Sequence, residues 1–486
     1  MLKRKEGLAL FLVVILIIVG SLIKTTNNRS WTLGDFNSQE LNWRDCYGDF
    51  QCSTFKVPVD YKHIDKKTFT LSVLRHQALD QKNRLGAILV NPGGPGGSAT
   101  DYAYNADLIV SKAIYEKFDI VGFDPRGINT SEPIQCLTNI EEDKYLEADV
   151  SAEKSKRIAE VVAISKGFAA KCAKAAGTKL GHYSTFEGAK DMEVLRNLLH
   201  EKRLNYLGKS YGTYLGTLYA ALYPKSVGKM VLDGAVAPNV SLLDQGLAQS
   251  IGFESALKNY LVTNKKIDIE DIKKLLARSL TSPMKGKKGR LATQSLVITA
   301  IAQSLYDPKH GWKELTDALE LALGKEDPTG ILALADSYNN RDSSGNYYSN
   351  QTDISVIISC LDWQESRTIS EIAADQGKFE KASPIFGPYL GLSSLSCKFW
   401  KAKPVLPNID LNKIDTNPVL IIGVTQDPAT PYKWAKALAK IFTKVELVTL
   451  KGEGHTGHNR GNACVDTAVD SYFLTGKIGP EGLICT

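Results

Sequence analysis

The sequence predicts an α/β fold with a mostly parallel central sheet that is interrupted by a helical insertion. Short apolar runs alternate with amphipathic stretches over residues 27–240, which is typical of strand–helix units in a parallel sheet. Over residues 241–404, lysine-rich amphipathic segments follow one another with no strand pattern between them. The strand–helix alternation returns over residues 405–486. The insertion therefore divides a core into a first and a C-terminal part.

The individual elements follow from the same patterns. Strands are predicted over residues 68–75, 87–90, 118–123, 206–207 and 230–233, each followed by turn-forming residues. The insertion supplies predicted helices over residues 267–280, 293–305 and 314–323, and a polar loop over residues 339–353. The last part supplies strands over residues 419–423 and 445–450 with a helix from Tyr432 between them. A chain of 486 residues fits this organisation, because single cores stop growing near ~250–300 residues.

The N-terminus has the layout of an export signal. Residues 3–5 (Lys-Arg-Lys) precede an apolar run over residues 8–23. A basic start, an apolar run and small residues near Ser21 predict that residues 1–26 are a signal peptide. Two alternatives stay open: an uncleaved signal anchor that attaches the protein to the membrane, and a buried core helix.

Cysteine content suits the same compartment. The chain has eight cysteines and no Cys-x-x-Cys pair, so a zinc ribbon is not indicated. Exported proteins oxidise their cysteines, and we take disulfides between sequence neighbours as a hypothesis, with free buried thiols as the alternative. The hypothetical pairs are Cys46 with Cys52, Cys136 with Cys172, Cys360 with Cys397, and Cys464 with Cys485.

Charge does not indicate a nucleic-acid partner. The net charge of +6 is spread along the chain. We find no basic stripe with interleaved aromatic residues, which nucleic-acid binding would favour.

The most specific motif is Gly-Lys-Ser-Tyr-Gly at residues 208–212, which matches Gly-x-Ser-x-Gly. It follows an apolar stretch that ends at Leu207 and opens an amphipathic helix predicted over residues 210–223. In this strand–turn–helix context the serine adopts a strained conformation, and the flanking glycines avoid a steric clash. Ser210 is therefore the predicted nucleophile of an α/β-hydrolase fold, and the backbone N–H of Tyr211 is a predicted oxyanion donor.

A glycine-rich loop at residues 91–98 follows another predicted strand. Its glycines let backbone N–H groups approach a developing negative charge, and Gly94 is the predicted second oxyanion donor. The loop also matches a dinucleotide-binding fingerprint, in which Asp119 or Asp124 would bind the ribose. Pro95 inside the turn and the predicted export both favour the oxyanion interpretation, while the dinucleotide interpretation stays open.

The base is expected on the loop after the last strand, which is where this fold carries its histidine. Of the seven histidines, His455 and His458 follow the strand predicted over residues 445–450. His455 lies between glycine-rich neighbours just after that strand and is the predicted base. His458 is the alternative.

The acid is expected after the preceding strand, where it fixes the imidazole tautomer and stabilises the imidazolium. Asp427 follows the strand predicted over residues 419–423 and fills that position. Asp233 stays a second candidate, because the acid can follow the strand one earlier in the chain.

Several motifs together resemble the tripeptidyl aminopeptidase-like branch of the α/β-hydrolases, relatives of the proline iminopeptidases that are classed with the S33 serine peptidases. They lie at residues 91–98, 123–127, 208–216, 427–431 and 454–455. The resemblance covers nearly the whole mature chain and extends to the segment bracketed by Cys464 and Cys485. One departure is Lys209, because the family carries an aliphatic residue before the nucleophile.

The resemblance implies an exported exopeptidase that removes short peptides or single residues from a free N-terminus under a helical lid. Such a peptidase needs carboxylates for the substrate ammonium, and Asp362 and Glu365, on either side of Trp363, are the candidates. Solvated surface acids beside a packed tryptophan are the alternative interpretation. Asp124 and Arg126 are expected to form a structural turn and ion pair.

The residues by themselves lead only to acyl transfer from an ester or an amide. A carboxylesterase or lipase with the same triad is therefore an alternative, and so is a non-catalytic binding protein of the same fold. No metal or organic cofactor is expected. Peptides with a free N-terminus are the expected partners.

Overall fold

The computed structural model describes residues 31–65, 67–149, 152–403, 409–479 and 482–486. The predicted signal peptide or anchor, residues 1–26, lies outside this part of the chain. Within the described ranges, every helix is too short or too polar to span a bilayer.

Among the described residues, ten strands form the central sheet, in the order β1-β2-β3-β5-β4-β6-β7-β10-β11-β12. In this order the first three pairs, β1 with β2, β2 with β3 and β3 with β5, are antiparallel. The six pairs from β5 to β12 are parallel. The mostly parallel sheet predicted from the sequence is thus confirmed. The strands are β1 Arg44–Cys46, β2 Phe50–Pro58, β3 Thr68–His76, β4 Ala87–Asn91, β5 Asp119–Phe123, β6 Leu204–Lys209, β7 Val227–Asp233, β10 Val419–Gln426, β11 Val445–Glu453 and β12 Ile484–Cys485.

Helices cover both faces of this sheet. All five residues of β4 and all five of β5 are buried, which explains the apolar runs at residues 87–90 and 120–123. The helices of the core are α1 Leu33–Asn37, α2 Ala99–Tyr104, α3 Ala106–Ile109, α4 Lys112–Lys117, α5 Asn139–Leu146, α6 Lys154–Ala176, α7 Thr185–Leu198, α8 Tyr211–Leu222, α18 Tyr432–Ala439 and α19 Ala463–Thr475.

Successive residues of the strands alternate between two apolar cores. Leu89 and Leu232 pack in the core that contains residues of α7, α8 and α18. Val90 and Val231, their neighbours along β4 and β7, pack in the other core, with residues of α2 to α4 and α19.

Between β7 and β10 the described chain is largely helical and has an apolar core of its own. Its helices are α9 Leu242–Thr263, α10 Ile269–Thr281, α11 Gln294–Leu305, α12 Gly311–Lys325, α13 Thr329–Tyr338, α14 Gln351–Asp362, α15 Ile369–Ala382, α16 Gly387–Leu390 and α17 Leu395–Lys398. The boundaries at residues 241 and 404 stay predictions, and residues 404–408 lie outside the described ranges.

One expectation for this insertion is wrong, because the sequence analysis placed no strand in it. Met284–Lys285 (β8) and Leu291–Ala292 (β9) form an antiparallel hairpin between α10 and α11. Gly289 supports the turn with a φ of +79°. Strands of two residues are too short to produce a readable alternation of apolar and polar side chains.

All four hypothetical disulfides are present. They link neighbouring elements, such as β1 with β2 and α19 with β12, and so fasten both ends of the described sheet. Oxidised cysteines of this number are typical of an exported protein. The pairs are Cys46–Cys52, Cys136–Cys172, Cys360–Cys397 and Cys464–Cys485.

Candidate active site

Ser210 lies on a sharp turn between β6 and α8. Its backbone has a φ of +54° and a ψ of −125°, a strained conformation for a residue with a side chain. A Cβ atom on Gly208 would lie 2.6 Å from the carbonyl oxygen of Gly212. One on Gly212 would lie 2.8 Å from Oδ1 of Asn91. The glycines of the motif are therefore required by the close approach of the turn, the helix and β4.

His455 lies on the loop after β11. Its Nδ1 atom is 2.9 Å from each carboxylate oxygen of Asp427, and its backbone N–H donates to the carbonyl of Tyr306 at 2.9 Å. The Nε2 atom is buried and has no hydrogen-bond partner among the described residues. In a serine hydrolase this is the nitrogen that faces the nucleophile.

The imidazole approaches the strand turn that supports Ser210. A Cβ atom on Gly234 would lie 3.2 Å from Cε1 of His455. Gly234 directly follows Asp233, whose carbonyl accepts the backbone N–H of Ser210 at 2.8 Å. The structure thus brings Ser210, His455 and Asp427 to one edge of the sheet, at the carboxyl ends of β6, β10 and β11.

Asp427 is buried, and its carboxylate is oriented by a tight turn. Oδ1 accepts the backbone N–H groups of Ala429 and Thr430 at 2.9 and 2.8 Å. Oδ2 accepts the Thr430 hydroxyl at 2.9 Å and the backbone N–H of Thr456 at 3.3 Å. Thr430 also lies 3.3 Å from Nδ1 of His455, so its hydroxyl contacts both members of the pair.

The sequence analysis did not single out Thr430. An aspartate followed by small residues and proline does signal a turn in which the carboxylate accepts nearby N–H groups. That signal identifies the turn, but the contact of the threonine hydroxyl with a distant histidine requires the fold.

Replacing Thr430 by valine is expected to lower kcat by roughly 10- to 100-fold with little change in KM. Valine keeps the shape but removes a hydrogen bond to a carboxylate, which contributes about 1.5–3 kcal/mol. Steady-state kinetics of Thr430→Val and of Thr430→Ser check this. Thr430→Ser retains the hydroxyl and should stay near the wild-type rate, so equal losses in both variants would contradict the role.

The alternative acid and base have other partners. Asp233 accepts the backbone N–H groups of Gly457 and His458 at 2.8 and 3.0 Å, not the imidazole of His455. Burial and the neighbouring Lys209 ammonium lower the pKa of His458 to about 3, so this ring is neutral. We therefore assign Asp233 and His458 to the structure of the loop after β11, and not to the acid–base pair.

The glycine-rich loop presses against the turn at Ser210. A Cβ atom on Gly93 would lie 2.6 Å from the carbonyl oxygen of Lys209 and 2.8 Å from Cβ of Ser210. Gly94 and Tyr211 line the same cavity as Ser210, where an oxyanion would form.

The dinucleotide interpretation of this loop loses its support. Asp119 accepts the backbone N–H of Ala78 and pairs with Arg84, both at 2.9 Å. Asp124 accepts hydrogen bonds from Ser98, Thr100 and Thr130. Neither carboxylate is left for a ribose hydroxyl.

A cavity of about 410 Å³ opens above Ser210, with walls from both the core and the insertion. None of the described residues that line it carries a charge. Carboxamides and aromatic rings predominate instead: Gln245, Gln249, Asn339, Asn340, Gln351, Tyr306, Tyr338, Trp363 and Trp434. A larger cavity, of about 750 Å³, lies against β2 and β3 and shares no residue with this site.

The expected ammonium-binding carboxylates need a correction. Asp362 accepts the backbone N–H of Thr185 at 2.9 Å and also its hydroxyl. Glu365 is bound by the backbone N–H and the guanidinium of Arg367. Because protein donors occupy both carboxylates and neither lines the cavity, the role predicted for them does not fit. Trp363 does line it.

Replacing Asp362 by asparagine is expected to flatten the pH dependence of stability. Burial raises the pKa of Asp362 to about 7, so the folded state holds a proton that the unfolded chain releases near pH 4. The associated stability is present below pH 4 and is lost as the pH rises to about 7. Glu142 and Asp353, whose pKa values burial raises to about 7 and about 6, contribute in the same way to the wild type and to the variant. Urea unfolding at pH 5 and pH 8 should therefore show a loss of stability that is roughly 3 kcal/mol smaller in Asp362→Asn than in the wild type.

Asp415→Asn is the matched control. Its carboxylate is exposed and its pKa is lowered by hydrogen bonds from Thr443 and Lys444, so it stays ionised from pH 5 to pH 8. The pH dependence of this variant should equal that of the wild type. An unchanged slope in Asp362→Asn would rule out Asp362 as its source.

Asp124 and Arg126 are structural, as expected, but they do not pair with each other. Arg126 is fully buried and forms two hydrogen bonds with Asp191, at 2.8 and 2.6 Å. Its guanidinium ties the segment after β5 to α7. The expected ion pair is wrong because Asp124 accepts the hydroxyls of Ser98, Thr100 and Thr130 instead.

One group in the described chain comes close enough to hold a metal ion, namely Cys136, Cys172 and Asp353. The two sulfur atoms are joined in a disulfide, so they offer no thiolate ligand. This group does not fit a metal site.

Comparison with known proteins gives the same fold and chemistry. A family described as "TAP-like protein" matches residues 383–485. The serine protease Hip1 of Mycobacterium tuberculosis is 31% identical over 100% of this chain and 99% of its own length. Carboxylesterase B of the same organism is 34% identical over 90% of this chain and 86% of its own. A tripeptidyl aminopeptidase of Streptomyces lividans is 30% identical, over 92% of this chain and 86% of that protein.

Proposed function

Because the chain belongs to the tripeptidyl aminopeptidase-like family of α/β-hydrolases, we propose that Ser210, His455 and Asp427 are the catalytic triad of an aminopeptidase. The chain is a serine hydrolase of the peptidase class, as its similarity to a serine protease and a tripeptidyl aminopeptidase indicates. We propose in addition which residues are catalytic and which peptide bond is hydrolysed. Short peptides or single residues are released from a free N-terminus.

The triad would act by acyl transfer. His455 takes the Ser210 proton on Nε2 while Oγ attacks the scissile carbonyl, and the N–H groups of Gly94 and Tyr211 stabilise the oxyanion. The imidazolium then protonates the leaving amine and the C–N bond breaks. Water, deprotonated by His455, hydrolyses the resulting ester and restores Ser210. Asp427 keeps Nδ1 protonated throughout.

One observation carries this assignment. His455 is held by Asp427 at 2.9 Å, while its Nε2 atom is buried without a partner in the described chain. A buried polar atom without a partner is costly, so its retention in a histidine that is bonded to an aspartate and approaches the turn of the strained Ser210 supports a catalytic role.

The cavity supports a peptide substrate. Carboxamide side chains both donate and accept hydrogen bonds, as the groups of a peptide backbone do. The aromatic rings among them offer apolar surface for substrate side chains. In the absence of charged lining residues, we propose that side-chain and backbone oxygens accept the substrate ammonium, with residues 241–404 as the lid.

A carboxylesterase is the second candidate. It is favoured by the uncharged cavity, which suits a neutral ester, and by the 34% identity to carboxylesterase B. The triad and the oxyanion donors would be the same.

The deciding experiment assays the full chain and Ser210→Ala on free and N-acetylated aminoacyl, dipeptidyl and tripeptidyl amides, and on acyl esters. Release from free-amine peptides that is lost on acetylation and in Ser210→Ala is the expected result, and the preferred length gives the step. Turnover of esters alone would favour the carboxylesterase. Failure of a fluorophosphonate to label Ser210 would favour the binding protein.

We further propose that residues 1–26 direct export. The four disulfides support an oxidising compartment. N-terminal sequencing of the exported protein tests whether the leader is removed. Retention of Met1 with membrane association would identify an anchor.

A further inference from the structure

Lys209 directly precedes the proposed nucleophile in the chain, and its side chain is largely buried. It is the last residue of β6 and lies opposite Asp233, the last residue of β7. The side chain of Lys209 is 12% exposed and that of Asp233 is fully buried. A buried ammonium is costly unless it is paired and hydrogen-bonded, so its contacts indicate what the position does.

Those contacts fasten the loop that carries His455. The Lys209 ammonium donates to the carbonyl of His458 at 2.8 Å and lies 3.9 Å from the Asp233 carboxylate. Asp233 in turn accepts the N–H groups of Gly457 and His458 at 2.8 and 3.0 Å. Lys209 thus binds a backbone carbonyl and Asp233 binds two backbone N–H groups of residues 457–458, two to three residues after His455.

This loop requires such support. Thr456, between His455 and the clamped residues, has a φ of +68°. A β-branched residue rarely adopts this conformation, and strained conformations persist only where surrounding bonds enforce them. Thr456 directly follows His455 and donates its backbone N–H to Asp427 at 3.3 Å, so its conformation is coupled to the position of the imidazole.

We propose that Lys209, together with Asp233, is a positioning residue: it binds the backbone of residues 457–458 and thereby holds His455 in place relative to Ser210. The inference rests on the proposed function, since it assigns His455 as the base. It also gives a role to the residue that departs from the aliphatic pattern of the motif.

The test is Lys209→Met, measured by steady-state kinetics, fluorophosphonate labelling and thermal unfolding. We expect kcat and the labelling rate to fall roughly tenfold, through the lost charge-assisted hydrogen bond, with KM changed less than twofold. Lys209→Arg keeps a charged donor and should recover most of the rate.

Lys229→Met is the matched control. Lys229 lies on β7, and its ammonium also donates to a backbone carbonyl, that of Phe473. This contact is outside the site, so its loss should affect unfolding but not labelling. If Lys209→Met labels and turns over as fast as Lys229→Met, or changes KM rather than kcat, the inference is overturned.

A further variant covers the case in which Lys209→Met does not fold. Lys209→Met with Asp233→Asn leaves no unpaired buried charge and still lacks the lysine donor, although the carboxamide oxygen can accept one loop N–H group, so it should fold and label slowly. Wild-type labelling of this double variant would exclude a positioning role. Because labelling needs only Ser210 and its base, it remains informative even if the peptide assays fail.

Discussion

Replacing His455 by alanine is expected to lower kcat on the best substrate by about 10⁴-fold or more, with KM little changed. Nε2 would no longer take the Ser210 proton, and members of a triad act as a unit, so loss of the base removes most of the acceleration. Fluorophosphonate labelling should fall in parallel, because it also requires an activated serine. Both rates are measured on protein whose thermal unfolding matches that of the wild type.

His458→Asn provides the comparison. The two histidines lie on the same loop, and both have a buried ring nitrogen without a partner in the described chain. They differ in their contacts, because only His455 is held by Asp427. A loss of less than about tenfold is expected for His458→Asn. Equal losses, or a greater loss at His458, would transfer the role of base to that residue.

The elements of the site that could be predicted are those fixed by the order of strands. A serine between glycines after β6, an aspartate after β10 and a histidine after β11 all lie at the carboxyl edge of the parallel sheet. The histidine was expected after the last strand, but the two-residue β12 follows it in the chain. The structure places Ser210, Asp427 and His455 at that edge. Topology alone brings such residues together, so local sequence was sufficient to select them.

The contacts that cross from one segment to another could not be predicted. The sequence made Asp362 a candidate for binding the substrate ammonium, with a surface acid as the alternative, but in the fold its carboxylate accepts the backbone N–H of Thr185 at the start of α7. Tyr306 comes from the insertion, packs edge-on against His455 at 5.2 Å between ring centroids and accepts its backbone N–H. Neither the Asp362–Thr185 contact nor the Tyr306–His455 contact can be predicted from periodicity or motif spacing, because each depends on how the insertion packs against the core.

The fold shows the same division. The apolar runs of β4 and β5 predicted buried parallel strands. The prediction holds because helices cover both faces of the sheet, so residues on both sides of these strands are apolar. The β8–β9 hairpin escaped detection because its strands are too short for a period. Lys209 is intermediate: its identity was visible as a departure from the motif, but its role appears only when β7 places Asp233 beside it.

Replacing Asp427 by asparagine is the second change with a very large expected effect, about 10⁴-fold on kcat. The backbone N–H groups of Ala429 and Thr430 both donate to Oδ1 of the carboxylate, so they would hold the carboxamide oxygen of the variant at that position. Its NH₂ group would then face Nδ1 of His455. An imidazole that accepts this hydrogen bond carries its proton on Nε2 and cannot accept the proton of Ser210.

Comparison with Asp233→Asn distinguishes the acid of the triad from a residue that only holds the loop backbone. Asp233 holds the loop backbone and not the imidazole, so its variant should lose no more than roughly tenfold, as expected for a positioning residue. Raising the pH should not rescue Asp427→Asn, because the wrong tautomer, and not protonation, blocks it. If Asp233→Asn were the slower of the two in kcat and in labelling, the acid would follow β7, and Asp427 would serve only to shape the turn.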